Sequence, residues 1–254
     1  MKQPIIASLF RVHWRHFLMA AIVVGSLVVM LFLEPFGQNA EYHNFADKRA
    51  LFGIPNFLDV ASNLAFLIVG IIGLRICLKK RLGNLRNAWI VLFAGITLVS
   101  VGSAYYHLNP NNQTLVWDRL PMTVGFMGLF VALLGEYISE RLGALLVPAL
   151  LLGASSVFYW HWFDDLRFYI WVQIIPLLTI PVVMSLYRAK YSHGWMLLAA
   201  LGCYALAKIT ELADKQIFAL MQGLISGHTI KHLLSAIGCL FILLMLQRRK
   251  LNEA

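Results

Sequence analysis

Apolar residues fill this chain in long unbroken blocks separated by short polar connections, without the period-two alternation of half-buried strands. Eight blocks, at about 16–34, 55–77, 87–107, 114–135, 142–160, 166–187, 194–214 and 224–247, come close to or exceed the roughly 17 to 25 residues a helix needs to cross hydrocarbon. A helix satisfies its backbone hydrogen bonds internally, whereas a membrane barrel would need alternating segments that this pattern lacks. The predicted fold class is therefore all-α, a polytopic transmembrane helix bundle. The blocks recur along the whole length and leave no room for a separate soluble domain.

Composition agrees: 60% of the 254 residues are hydrophobic and 13% charged. The formal charge of +9 raises nucleic acid as a partner, but the basic residues fall in short clusters between apolar blocks rather than along one face or tail. They fit topology better. Lys2, Arg11, Arg15, Arg75, Lys79, Lys80, Arg81, Arg86, Arg141, Arg188, Lys190, Arg248, Arg249 and Lys250 all belong to one side, which the positive-inside rule makes cytoplasmic, so both termini are expected there. The opposite side holds only Lys48, Arg49, Arg119, Arg167 and Lys215, and carries Tyr159, Trp160, Trp162 and Phe163 as an interfacial belt.

Cys77, Cys203 and Cys239 stand singly in apolar blocks, which indicates neither a disulfide framework nor a thiolate metal site. The basic start followed by the first apolar block resembles a signal peptide, but the block is too long and ends in Glu34-Pro35-Phe36-Gly37 without a small-x-small cleavage pattern. A retained first helix is expected. The longest connection, 35–54, reads first as a solvated or interfacial loop, with cover for a site on the outer side as the alternative.

Ionisable residues inside the apolar blocks carry the chemistry, because such groups are costly in lipid and face a bundle interior or a wet cavity. Ser103 and His107 are four apart and share a helix face near the outer end of the third block. After a short turn, Asp118 enters at a similar depth on the fourth. His228 and His232 form an i, i+4 pair at the start of the eighth, a spacing that suits one metal ion but serves equally well for an interhelical hydrogen-bond pair or a proton relay.

Topology adds His107 to that pair, and three neutral imidazoles leave one tetrahedral position of zinc open, the composition of a catalytic rather than a structural site. Asp118 is the candidate general acid and base, and Ser103 would orient water or a carbonyl. Their plain alternatives are an ion pair between Asp118 and Arg119, and small-residue packing for Ser103. Asp59, Asn63, Lys208, Glu211, Asp214 and Lys231 are read as structural, with Glu211 or Asp214 neutralising Lys231; a head-group role for Asp214 or Lys231 is the alternative.

Ser103-Ala-Tyr-Tyr-His107, Asp118 and His228-Thr-Ile-Lys-His232 together resemble the Ser-x3-His, Asp, His-x3-His pattern of the seven-helix membrane hydrolases, a superfamily that also includes the progestin and adiponectin receptors and haemolysin III-like proteins. The stretches IPNFLDVASNLAFLIVG, GSAYYHLNP and WDRLPM make the alkaline ceramidase branch the nearest resemblance. It implies a seven-helix zinc hydrolase core over 54–247, preceded by an added helix and outer loop at 1–53 and followed by a basic tail at 248–254. It further implies His107, His228 and His232 as zinc ligands, Asp118 and Ser103 as catalytic residues, and cleavage of the amide of ceramide or a related N-acyl lipid. Ceramidases also carry an acidic calcium-binding segment before the first core helix; here only Asn44, Asp47 and Asn56 occupy that region, which puts calcium in doubt.

A lipid esterase of the same superfamily, a receptor-like protein with a structural zinc site and a proton-coupled transporter remain open at this level. Substrate and oligomeric state are not legible in the pattern. The expected partners are a lipid substrate and the membrane, with no nucleic acid.

Overall fold

The computed structural model describes residues 5–252, with side chains from residue 13 onward. Lys2, the side chain of Arg11 and the last two residues of the basic tail lie outside the described residues. Ten α-helices run in order: α1 Ile5–Phe32, α2 Phe57–Ala61, α3 Leu64–Lys79, α4 Arg86–Leu108, α5 Asn112–Tyr137, α6 Leu146–Phe163, α7 Arg167–Leu186, α8 Trp195–Leu212, α9 Asp214–Leu220 and α10 Gly227–Arg248. The described residues contain no strand beyond two isolated bridges.

Eight helical segments are long and apolar enough to cross a membrane, and each overlaps one of the eight apolar blocks. The chain is a multi-pass helical membrane protein. The second block differs in one respect: it is broken at Ser62-Asn63 into α2 and α3, where Asn63 Nδ2 donates to the Asp59 carbonyl at 2.8 Å. That break places two short polar side chains beside the first turns of α10.

Helices α4 and α5 pack closely because glycines line their contact. A Cβ at Gly95 would lie 2.7 Å from the Gly125 Cα, and one at Gly128 would lie 2.7 Å from the Leu92 nitrogen. Such small-residue seams let backbones approach in lipid, where no hydrophobic force drives helix association. The turn between the two helices is closed by Asn111, whose side chain accepts from the Gln113 and Thr114 N–H groups while Thr114 answers in a capping box. Seam and turn together fix His107 and Asp118 on neighbouring helices at one end of the bundle.

Contacts between connections gather them at the two ends of the bundle. At one end Lys190 pairs with Glu140 at 2.6 Å, Arg249 pairs with Glu136, and Lys80 donates to the Leu246 carbonyl at 2.9 Å. At the other end, the 35–54 connection meets Asp164 and Asp214. Trp160 departs from expectation: Trp162 and Phe163 are exposed as a belt would be, but Trp160 is buried because its ring packs on the Arg119 guanidinium. Cys77 is buried, and Cys203 and Cys239 are partly so; all three are free thiols.

Replacing Gly95 by Val forces the α4–α5 seam apart and should lower the unfolding temperature in detergent by several degrees, whereas Gly202→Ala, with open space around it, should leave it unchanged or slightly raised. Equal melting of the two variants would contradict the packing argument.

Candidate metal centre and lipid cavity

The site is built on the first turns of α10. Ser226 caps that helix, its side chain accepting from Thr229 N at 2.9 Å, a contact of the kind typically worth ~1 kcal/mol. Asp59 of α2 is fully buried behind the cap and accepts from Thr229 Oγ1 at 2.6 Å and Ser226 Oγ at 3.3 Å. From the other side Asp214 accepts from the His228 N–H at 2.8 Å with one oxygen and from the Ala46 N–H at 2.8 Å with the other. Gly227 allows the approach, since a Cβ there would lie 2.7 Å from the Asp214 Cα.

These restraints bring His228 and His232 against His107 at the end of α4. The three rings form a nearly equilateral triangle, with centroids 4.8, 4.9 and 5.0 Å apart, and all three are buried. One nitrogen from each lies within 4.8 Å of the others, so the cluster could hold a metal ion. The Nε2 atoms of His107 and His228 face each other at 3.3 Å. Two nitrogens bound tetrahedrally at 2.0–2.1 Å from one zinc ion would be about 3.3–3.4 Å apart, so this separation fits that ion.

Hydrogen bonding supports the same orientation for the third ring. Ser62 Oγ gives its proton to the Asp59 carbonyl at 3.1 Å, so the 2.8 Å contact with His232 Nδ1 is completed by the imidazole N–H. That tautomer leaves the Nε2 lone pair of His232 free for a cation. His107 Nδ1 is buried without a hydrogen-bond partner, and packing holds its ring instead: Phe45 lies 4.7 Å away and Tyr106 5.0 Å.

Phe45 also lies 4.4 Å from His228 and therefore roofs two of the three imidazoles. The 35–54 connection is thus no merely solvated loop; it covers the cluster, tied down by Asp214 and by His43, which bridges Tyr106 at 2.8 Å and Asn112 at 2.9 Å. Asp47 forms a bidentate pair with Arg49, which holds its carboxyl below the usual range.

On the His232 side of the cluster lies a cavity of about 340 Å³, within the roughly 300–1,000 Å³ of small-molecule pockets. Its lining includes His232, Ser103 and Asp118 together with the charged side chains of Arg119, Lys208, Glu211 and Lys231, and an apolar stretch that includes Leu129, Ile180 and Ile242. Ser103 and Asp118 are buried and interact across the α4–α5 contact. Asp118 does not form the ion pair with Arg119 that was the plain alternative, because the Arg119 side chain turns to Gln38 and to the Trp160 and Tyr169 rings.

Glu211 carries the neutralising role expected of it, bonding Lys231 at 2.6 Å and pairing with Lys208, while Tyr42 donates to it at 3.3 Å. Burial and the nearby Glu211 push the Tyr42 hydroxyl well above its ordinary pKa, so it stays a donor. Asp214 instead serves two backbone N–H groups and does not neutralise Lys231. The sequence reading missed Gln38, Tyr42, Phe45 and Ser62. Ser62 alone left a trace, as a small polar residue beside Asn63 in an otherwise apolar block.

The structure thus combines a membrane bundle, a buried tri-imidazole cluster and a cavity that one of the three imidazoles, His232, lines. The ceramidase family model matches residues 53–254, and the chain belongs to that family. Ceramide hydrolysis, the cleavage of an amide bond within a membrane lipid, is the activity this membership assigns in general terms. Comparison with curated proteins gives no match.

Removing the Ser62 hydroxyl should weaken binding at the triad through loss of the bond to His232. Metal titration of Ser62→Ala protein is expected to show a 10–100-fold rise in Kd for zinc, with His228→Ala abolishing binding. Unchanged affinity in both would remove the triad as a metal centre.

Proposed function

We propose that the protein is a zinc-dependent amidase that hydrolyses the N-acyl bond of ceramide or a related lipid to a free amine and a fatty acid. One observation carries the reading: His107, His228 and His232 converge in a buried cluster, and the cavity that contains His232 also holds Ser103 and Asp118. Zinc, when bound by the three imidazoles, would act as a Lewis acid that polarises the amide carbonyl and lowers the pKa of water.

The chain's own residues do the rest. Asp118 accepts the proton that water loses as it attacks the amide carbon, and returns it to the nitrogen as the carbon–nitrogen bond breaks. Protonating the amine makes it a competent leaving group. Ser103, in contact with Asp118, holds the carboxylate in place and offers its hydroxyl to the reacting oxygen. The apolar wall seats the acyl chain, and Phe45 and Tyr106 limit access of bulk water to the cluster.

In this reading residues 54–247 form the hydrolase core, with α1 and the outer loop as an addition and 248–254 as a tail. The basic end of the bundle faces the cytoplasm, both termini lie there, and the metal centre opens toward the opposite side. Helix α1 leans on α7, where Trp171 Nε1 donates to Ser26 Oγ at 3.0 Å, outside the ring of helices that lines the cavity.

Purified protein incubated with ceramide should release fatty acid, lose that activity on chelation and regain it with zinc. Asp118→Asn should lower kcat by about 10²–10⁴-fold while still binding zinc. An Asp118→Asn protein as active as the wild type would defeat the acid–base role, and undiminished turnover after complete chelation would defeat the metal's role.

A further inference from the structure

The cavity wall carries five charged side chains: Asp118, Arg119, Lys208, Glu211 and Lys231. Three are cations and two are carboxylates. Glu211 is shared by both lysines. Asp118 lies near Ser103 and in the fields of Lys231 and Arg119, but forms no ion pair with either cation. Arg119 is left with no carboxylate pair among the described residues, although it is only 5% exposed.

Its surroundings make that vacancy specific. One guanidinium nitrogen donates to the neutral amide oxygen of Gln38, and the other terminal nitrogen, Nη1, is buried with no hydrogen-bond partner. The guanidinium carbon lies 3.9 Å from the centre of the Trp160 ring and 4.6 Å from that of Tyr169. Aromatic faces attract a cation through their quadrupole but carry no net charge to neutralise it. Asp118 attracts the guanidinium only through space, so a directly bonded anion would satisfy a buried cation that has none.

Consecutive residues on a helix diverge by about 100°. Asp118 therefore faces the side of α5 that meets Ser103 of α4, while Arg119 faces the Trp160 and Tyr169 wall from α6 and α7. A lipid with its amide at Asp118 and His232 would extend its acyl chain along the apolar wall and its head group toward Arg119. Gln38 and Tyr42 of the outer loop close over that position.

We infer that Arg119 is a specificity residue that binds an oxyanion on the head group of the lipid, so that the preferred substrate is an N-acyl lipid bearing a phosphate, sulfonate or carboxylate rather than a neutral ceramide. A guanidinium suits that role because it presents several N–H donors in a fixed plane and never loses its charge. This rests on the proposed amidase reading for the placement of the amide, and on the unpaired cation alone for the oxyanion.

The test uses the full chain in nanodiscs of phosphatidylcholine, with ceramide and ceramide 1-phosphate of the same acyl chain as paired substrates. Wild-type kcat/KM should favour the phosphate by about tenfold or more, chiefly through KM, as expected for one charge-assisted contact. Arg119→Gln should collapse that ratio toward one, and Arg119→Lys should retain part of it. A wild-type ratio at or below one, or an unchanged ratio in Arg119→Gln, overturns the inference.

Should Arg119→Gln fail to fold, dodecyl phosphate must inhibit wild-type ceramide cleavage competitively and better than dodecanol; no difference between them counts against the inference. Inhibition by dodecanoate alone would assign the cation to the fatty-acid product and overturn the head-group role. If no N-acyl lipid is cleaved at all, the amidase reading fails separately. Dodecyl phosphate should then still raise the Tm of wild-type protein, and its failure to do so would sink the oxyanion site as well.

Discussion

Two carboxylates grip the start of α10, and the position of the imidazole cluster depends on that grip. Asp59 holds Ser226 and Thr229 from the α2 side, and Asp214 holds the His228 N–H from the α9 side while anchoring the outer loop at Ala46. Each bond is unremarkable in water. In an apolar bundle, where solvent cannot substitute, a missing partner costs more than the bond itself contributes, so these contacts define where the helix begins. His228 lies within the first turn and His232 one turn on, and their separation from His107 follows from the placement of that end.

Helix α2 and the residue after it serve the same purpose. Asp59 and Ser62 are three apart and share one helical face, so both reach α10, one at its cap and the other at His232. The glycine seam does for α4 and α5 what the carboxylates do for α10. It converts two apolar helices into a rigid pair whose outer ends present His107, Ser103 and Asp118 at fixed relative depth.

Hydropathy made the eight spans legible because length and apolarity alone decide which segments cross a membrane, and the ends agree to within a few residues. The histidines and acids were legible because ionisable groups stand out against an apolar background. What stayed hidden follows from the same logic. Phe45 and Tyr42 lie in a mixed loop where aromatic residues attract no notice, and only tertiary contact shows that one roofs the imidazoles and the other lines the cavity. Trp160 was read as a belt residue because its neighbours are. A belt and a cation-binding wall use the same side chain, and only the location of Arg119 separates them.

Asp118 and Arg119 stand next to each other in sequence, and the simplest expectation for such a pair is mutual neutralisation. No direct ion pair forms here, since adjacent side chains diverge: Asp118 lies in the field of Lys231 and near Ser103 and feels Arg119 only through space, while the guanidinium bonds Gln38 and packs on two aromatic rings. The consequence is a cavity with charge separated across its polar end. A carboxylate freed from its neighbour can exchange a proton with a reacting group, as acid–base work requires, and a cation freed from its neighbour can hold an anion. Both capacities would vanish if the two side chains met. The divergence of two consecutive residues on α5 is therefore the feature on which both the proposed acid–base role of Asp118 and the proposed anion contact of Arg119 depend.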